Sequence, residues 1–176
     1  MKAATSAPLS FRDHVLPGDA EAVRNMVAAT GYFNDSEVEV AMELVLERLK
    51  LGPASGYFFV FAESGSSIVG YACYGPIACT LASHDLYWIA VDPQAQRAGI
   101  GSSLLKEVES RVTASGGRAI YIDTSNKPQY ASTRGFYLRN AYRQAALLED
   151  FYAPGDDKVI YVKKMGSSPA IGHHQR

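Results

Sequence analysis

LYWIAVDPQAQRAGIGSSLL, residues 86–105, decides how this chain is read. Tyr87-Trp88-Ile89-Ala90-Val91 is a run of β-formers, and Asp92-Pro93 ends it, because proline has no N–H to give a strand ladder. Gln96-Arg97-Ala98-Gly99-Ile100-Gly101 follows. Ile100, Leu104, Val108 and Val112 then recur at helical spacing up to Gly116-Gly117, a helix stop. The unit is strand, glycine-rich turn, helix. Glycines let backbone approach a ligand closely, and the first N–H groups of a helix have no partner within it. With the positive end of the helix dipole and Arg97, they suit an anion, most readily phosphate. A glycine pair before a helix is also ordinary turn chemistry, so the spelling must narrow the reading. It is neither the G-x-G-x-x-G dinucleotide fingerprint nor a P-loop, which ends in Gly-Lys-Ser/Thr.

The spelling resembles motif A of the GNAT N-acetyltransferases, Q/R-x-x-G-x-G/A after a strand ending Ala-Val-x-Pro. Gln96, Gly99 and Gly101 fill the motif, and Ala90-Val91-Asp92-Pro93 fills the lead-in. In that family the loop binds the pyrophosphate of acetyl-coenzyme A. The resemblance therefore implies that Gln96, Arg97, Ala98, Gly99, Ile100, Gly101 and Ser102 hold that group. It also implies that the backbone of Ile89, Ala90 and Val91 pairs with the pantetheine amides as an added strand would. A second stretch, Gly135-Phe136-Tyr137-Leu138-Arg139-Asn140-Ala141-Tyr142, is similar to the family's Phe/Leu-Tyr-Glu-Lys-x-Gly-Phe. Tyr137 takes the place of the tyrosine that protonates the leaving thiolate in many members. Ala141 stands where glycine is usual, and Tyr130 where an asparagine is common; Tyr130 is expected to meet the cofactor in its stead, beside Thr133 and Arg134.

The chemistry asked of these residues is definite. A thiol leaving group has a pKa of about 8.5, so it needs little help, and a phenol near pKa ~10 stays protonated at pH 7 and can donate to sulfur. The plainer reading of Tyr137 is that it packs its helix on the sheet. The attacking amine must be neutral: for a lysine-like amine that costs roughly 4–5 kcal/mol at pH 7, for an α-amino group about 1 kcal/mol. Asp85 lies six residues before Val91, where the histone-acetylating branch of the superfamily carries its glutamate base. It is the candidate base, acting through water; the alternative is a residue that tops the strand and bonds nearby N–H groups. The carbonyl oxygen needs a donor as it gains charge, for which an N–H near Val91 is expected. The resemblance places the loop between the first two helices beside the acceptor. Tyr32 and Phe33 are therefore read as its wall or, more plainly, as anchors between helices. Tyr152 and the Asp156-Asp157 pair would suit a cationic acceptor by cation–π and ion pairing; Gly-Asp-Asp is otherwise an exposed turn.

With 176 residues, 47% hydrophobic and 20% charged, the chain has the size and make-up of one globular domain. A net charge of −1 argues against nucleic-acid and acidic-membrane partners. No apolar run approaches a membrane span, and MKAATSAPLSFRD lacks the apolar core of a signal peptide. Cys73 and Cys79 make neither a disulfide scaffold nor a metal site, so no metal and a cytoplasmic setting are expected.

The remaining pattern predicts a strand over Leu9–Leu16, a helix from Asp19, and a second helix capped by Ser36 with Glu39. A hairpin follows at Ser64–Ser67, with a strand bending at Gly75-Pro76 and resuming over Ile77–Leu81. Beyond the Ala119–Ile122 strand, a helix from Pro128 would pack through Ala131, Gly135 and Leu138. Tyr142–Leu148, a long turn at Phe151–Asp157 and a last run at Lys158–Lys163 complete the chain. This order predicts a mixed α/β sheet with helices on both faces. The resemblance makes it mostly antiparallel, with a splay after the central strand. Domain limits are 9–165, with a flexible leader at 1–8 and a flexible tail at 166–176. The function implied is an N-acetyltransferase using acetyl-CoA on a small-molecule amine or amino acid, in a ternary complex without an acyl-enzyme. Homodimers are common in such folds, and nothing in the residues fixes one. The alternative is a non-catalytic acyl-CoA-binding domain of the same fold.

Overall fold

Alternation along the strands decides where the helices go. Phe59 and Phe61 face one side of their strand, Val60 and Ala62 the other, and all four are buried, so both faces must be covered. The computed structural model describes residues 8–96 and 99–166. It shows β1 (Leu9–Arg12), α1 (Asp19–Thr30), α2 (Asp35–Leu51), β2 (Phe58–Ser64), β3 (Ser67–Pro76), β4 (Ser83–Val91), α3 (Ile100–Ala114), β5 (Ala119–Ser125), α4 (Ala131–Arg139), β6 (Arg143–Ala153) and β7 (Asp156–Lys164). The strands form one 7-stranded sheet, ordered β1-β2-β3-β4-β5-β7-β6. Helices α1 and α2 cover Phe59, Phe61, Tyr71, Cys73 and Ala90. The opposite face carries Val60, Ala72, Leu86, Ile120 and Ile122 against α3 and Tyr137 of α4. Ile100, Leu104, Val108 and Val112 are all buried, the stripe their spacing required.

Among the described residues β4 and β5 form the one parallel pair, and it is short: Ser83, His84 and Asp85 against Ala119, Ile120 and Tyr121. Beyond it β4 stays paired with β3 as far as Val91, and β5 stays paired with β7 as far as Ser125. The sheet therefore splays from Leu86 onward. A β-bulge lies at this point: Trp88 pairs with Cys73 and Leu86 with Tyr74, which leaves Tyr87 over. Bulges bend a strand and raise its twist, which here turns β4 away from β5. The parting thus begins near Asp85, not at the Val91 end of the strand.

Several local expectations are corrected. The strand from Leu9 ends at Arg12, because the Arg12 guanidinium reaches both Asp19 and Glu63 and the Leu16 N–H donates to Asp19, turning the chain early. Asn34, not Ser36, caps α2: it accepts from the Glu37 N–H at 3.0 Å, and Glu37 accepts from the Asn34 N–H at 2.9 Å. Glu39 instead pairs with Arg24 of α1. Residues 77–82 form a loop pinned by Thr80, which donates to the Ile77 carbonyl and accepts from the Ser83 N–H. The long turn at Phe151–Asp157 is a tight one: Ala153 pairs with Asp156 across Pro154-Gly155. A 3-10 turn at Pro128–Tyr130 precedes α4. Within α4 Tyr137 is buried while Leu138 is 55% exposed, the reverse of the expected packing face. Most of the expected leader and tail, with His173 and His174, lies outside the described residues.

Candidate functional site

The splay leaves the β5-facing edge of Leu86–Val91 without a neighbouring strand. At its upper end the chain turns at Asp92, whose N–H donates to the Val69 carbonyl at 2.9 Å and whose side chain accepts from the Gln94 N–H. Gln96 folds back on the Val91 carbonyl at 3.4 Å. Arg97 and Ala98 lie outside the described residues. Gly99 sits at φ 76°, a left-handed conformation that strains any residue with a Cβ, and starts α3. Gly101 lies against Phe136 of α4, where an added Cβ would come within 3.2 Å of the ring. Among the described residues no side chain caps α3, and no acid stands in its first turn, whereas α1 has Asp19 and Glu21 and α2 has Asp35 and Glu37. The N–H groups around Ile100, Gly101 and Ser102 thus face their surroundings without an acidic partner of their own helix.

Tyr137 stands on the α3–α4 face of the splay. Its ring packs 5.8 Å from Tyr161, 6.1 Å from Tyr142 and 5.4 Å from Phe136. Burial pushes its phenol pKa well up. Three residues expected at the ligands hold the chain that presents it. Arg134 donates to the carbonyls of Ser125 and Lys127, both at 2.9 Å. Asp156, no exposed turn residue, accepts from the Ser125 hydroxyl and pairs with Lys127 at 3.0 Å. Asp157 accepts from the Asn126 amide and the Asp150 N–H. Tyr130 donates to the Tyr32 carbonyl at 3.2 Å, and their rings lie 6.0 Å apart. Thr133 is half-buried on α4.

On the other face, strand register puts Asp85 level with Tyr121, with Asp123 and Ser125 further along β5 on the same side. Aromatic rings border this face. Phe33 of the α1–α2 loop packs on Trp88 at 4.9 Å, Tyr57 on Tyr87 at 5.5 Å, and Phe151 on Tyr152 at 5.1 Å. Tyr152 also feels the charges of Asp123 and Asp156. Lys158 pairs with Asp123 and lies 4.5 Å over the Phe151 ring. Burial, and then Asp123, raise the Asp85 pKa above the ordinary carboxylate value, while Lys158 opposes them. Asp156 moves the other way, held low chiefly by the Ser125 hydroxyl and then by Lys127. Two carboxylates pushed apart in this manner suit different tasks, proton exchange for Asp85 and fixed charge for Asp156. Sequence reasoning missed Asp123 and Lys158. The signal was present in Tyr121-Ile122-Asp123-Thr124-Ser125, whose alternation sets three polar-tipped side chains on one face.

The sequence profile of the Acetyltransferase (GNAT) family matches residues 21–142. A crystal structure from Desulfovibrio desulfuricans, assigned to the GNAT acetyltransferase family, is 47% identical with a TM-score of 0.89, over 90% of this chain and 100% of that one. An uncharacterized N-acetyltransferase of Methanocaldococcus jannaschii is 30% identical over 111 residues, 60% of this chain; the match spans 65% of that relative's length. An aminoglycoside 6'-N-acetyltransferase complexed with coenzyme A shares the fold at 18% identity, with a TM-score of 0.71 over 92% of this chain and 99% of that one.

Proposed function

This chain belongs to the GNAT acetyltransferase family, and from that premise we propose that it moves the acetyl group of acetyl-CoA to the primary amine of a small molecule or amino acid. The observation that carries the reading is the open β4 edge, which joins the uncapped start of α3 to the level of Asp85. From Val91 to Leu86 that edge measures about 16 Å at about 3.3 Å per residue, the reach of an extended pantetheine arm. The residues fit the cofactor: glycines where backbone must approach, helix-start donors with no partner among the described residues for a diphosphate, and a strand edge for two amides. Bound there, acetyl-CoA supplies an acyl group on a thiol of pKa about 8.5.

The chain's own residues do the rest. Gly99, Ile100, Gly101 and Ser102 hold the diphosphate, with Gln96, Arg97 and Ala98 completing the loop. Ile89, Ala90 and Val91 align the arm. N–H groups of the bulged segment at Leu86–Trp88, nearer the closed end of the splay than Val91, face the carbonyl oxygen. Tyr137 donates its hydroxyl hydrogen to sulfur. Asp85 takes the amine proton through water, its raised pKa bringing it nearer the working pH. Tyr130 and Arg134 position α4 and, through it, Tyr137, and Thr133 meets the cofactor beside them. Tyr32, Phe33 and Tyr152 wall the acceptor side, and Asp156 and Asp157 brace it. Positioning of amine and thioester supplies much of the rate.

Calorimetry with coenzyme A, followed by a free-thiol release assay over an amine panel, tests the proposal. Micromolar binding and amine-dependent thiol release are expected. Absence of binding refutes it, and tight binding with no thiol release for any amine favours the non-catalytic reading.

A further inference from the structure

Lys158 is held by groups that would hold a ligand's cation equally well. Its ammonium group pairs with Asp123 and lies 4.5 Å over the Phe151 ring, and its side chain is 17% exposed against 42% for Asp123. It is also close enough to Asp85 to act on that carboxylate. A lysine in a sheet face normally extends its charge to water; this one turns it along the sheet, toward the splay. Ile160 and Val162 stand on the same face of β7 further from the open end of the splay, level with Asp123 and Tyr121.

We propose that Lys158 determines which amines the site accepts: its ammonium group rests at Asp123 in the seat that a second cationic centre of the acceptor takes. The inference rests on the acetyl-transfer reading above and adds the acceptor's class. Asp85 of β4 is level with Tyr121 of β5, and Asp123 lies two residues further along β5; a strand spacing of about 4.8 Å and a rise of about 6–7 Å together set the two positions about 8 Å apart. With the reacting amine beside Asp85, the second charge sits at about that separation, which matches an aliphatic diamine with five or six carbons between its nitrogens. Before the acceptor enters, Lys158 keeps Asp123 from standing as an unpaired carboxylate beside Asp85. A diamine displaces it with no change in charge balance, and Phe151, Tyr121 and Tyr152 surround the incoming cation. A monoamine leaves Lys158 seated, and an acceptor with a carboxylate at that distance meets Asp123 instead of a cation.

The test uses the full chain loaded with coenzyme A, titrated by calorimetry with pentane-1,5-diamine and with n-pentylamine, followed by acetylation kinetics on both. The wild type should bind the diamine and show a kcat/KM for it at least tenfold above that for pentylamine. Lys158→Met should lower the diamine KM threefold or more without lowering kcat, because an internal competitor is gone. Asp123→Asn should reduce kcat/KM at least tenfold more for the diamine than for pentylamine. Equal use of the two amines by the wild type, a raised diamine KM in Lys158→Met, equal losses on both amines in Asp123→Asn, or no binding of either amine would each overturn the role of Lys158. In those cases coenzyme A still binds and the transferase reading stands; failure to bind coenzyme A removes both.

Discussion

Replacing Tyr137 by Phe removes one hydroxyl and leaves the ring among Phe136, Tyr142 and Tyr161. The buried phenol has its pKa pushed up, so it stays protonated throughout any practical assay range. A phenol above pKa ~10 facing a thiol of about 8.5 gives up its proton at a free-energy cost of at least about 2 kcal/mol. Tyr137 is therefore better suited to a hydrogen bond that strengthens as sulfur gains charge than to complete proton transfer. Hydrogen bonds to charged groups are worth about 1.5–3 kcal/mol, so Tyr137→Phe should lower kcat by about 10- to 150-fold. Coenzyme A affinity, measured by calorimetry, should change less than threefold. Wild-type turnover should show no alkaline limb from Tyr137 up to about pH 10. Calorimetric Tm should stay nearly constant, since no partner of the hydroxyl among the described residues is removed. A kcat within threefold of wild type refutes the argument, as does a kcat loss matched by an equal loss of coenzyme A affinity.

Gly99→Glu sets a carboxylate and a strained φ of 76° at the start of α3; coenzyme A affinity should fall at least 100-fold by calorimetry, and retained affinity would remove the diphosphate from this turn. Asp85→Asn tests a linkage. A carboxyl whose pKa is raised by folding favours the folded state below its unfolded value and loses that contribution as pH rises through the raised one. The variant should therefore have the higher Tm at pH 7, with the gap closing as pH falls toward about 4, while its kcat drops about 100-fold or more; a lower Tm at pH 7 contradicts the burial argument. Ala141→Gly relieves a left-handed alanine at φ 65°. The strain is about 1–2 kcal/mol and the added unfolded-state freedom about 0.4–1 kcal/mol, so a gain of about 0.5–1 kcal/mol is expected in urea unfolding.

The sequence was most legible where one local rule dominates. The α3 stripe and the strand that ends at Asp92-Pro93 follow from periodicity and proline chemistry, and the structure keeps both. Cap position was less legible: Asn34 and Ser36 both precede a glutamate by three residues, and only the use of Glu39 by Arg24 decides between them. In α4 two faces carry large apolar or aromatic residues, so spacing alone does not tell that Tyr137 is buried and Leu138 exposed. The origin of the splay depends on a bulge, which is a relation between two strands and so has no signature in either alone. Asp123 and Lys158 are remote in sequence and meet because β5 and β7 run antiparallel in one register. Arg134, Asp156 and Asp157 have residue types suited to ligands, yet each has protein partners that only the folded hairpin and helix bring into reach.

Ser83–Asp85 against Ala119–Tyr121 is, among the described residues, the whole ladder between β1–β4 and β5–β7. The sheet is thus two plates riveted at one end. Whatever lodges in the gap acts as a cross-brace, tying the free ends of both plates at a distance from the rivet. Loading and unloading such a brace would stiffen and release the plates' rocking, with amide exchange at Leu86–Val91 and Ile122–Ser125 slowing when the gap is filled. A donor that completes the sheet is at once a reagent and a removable structural member.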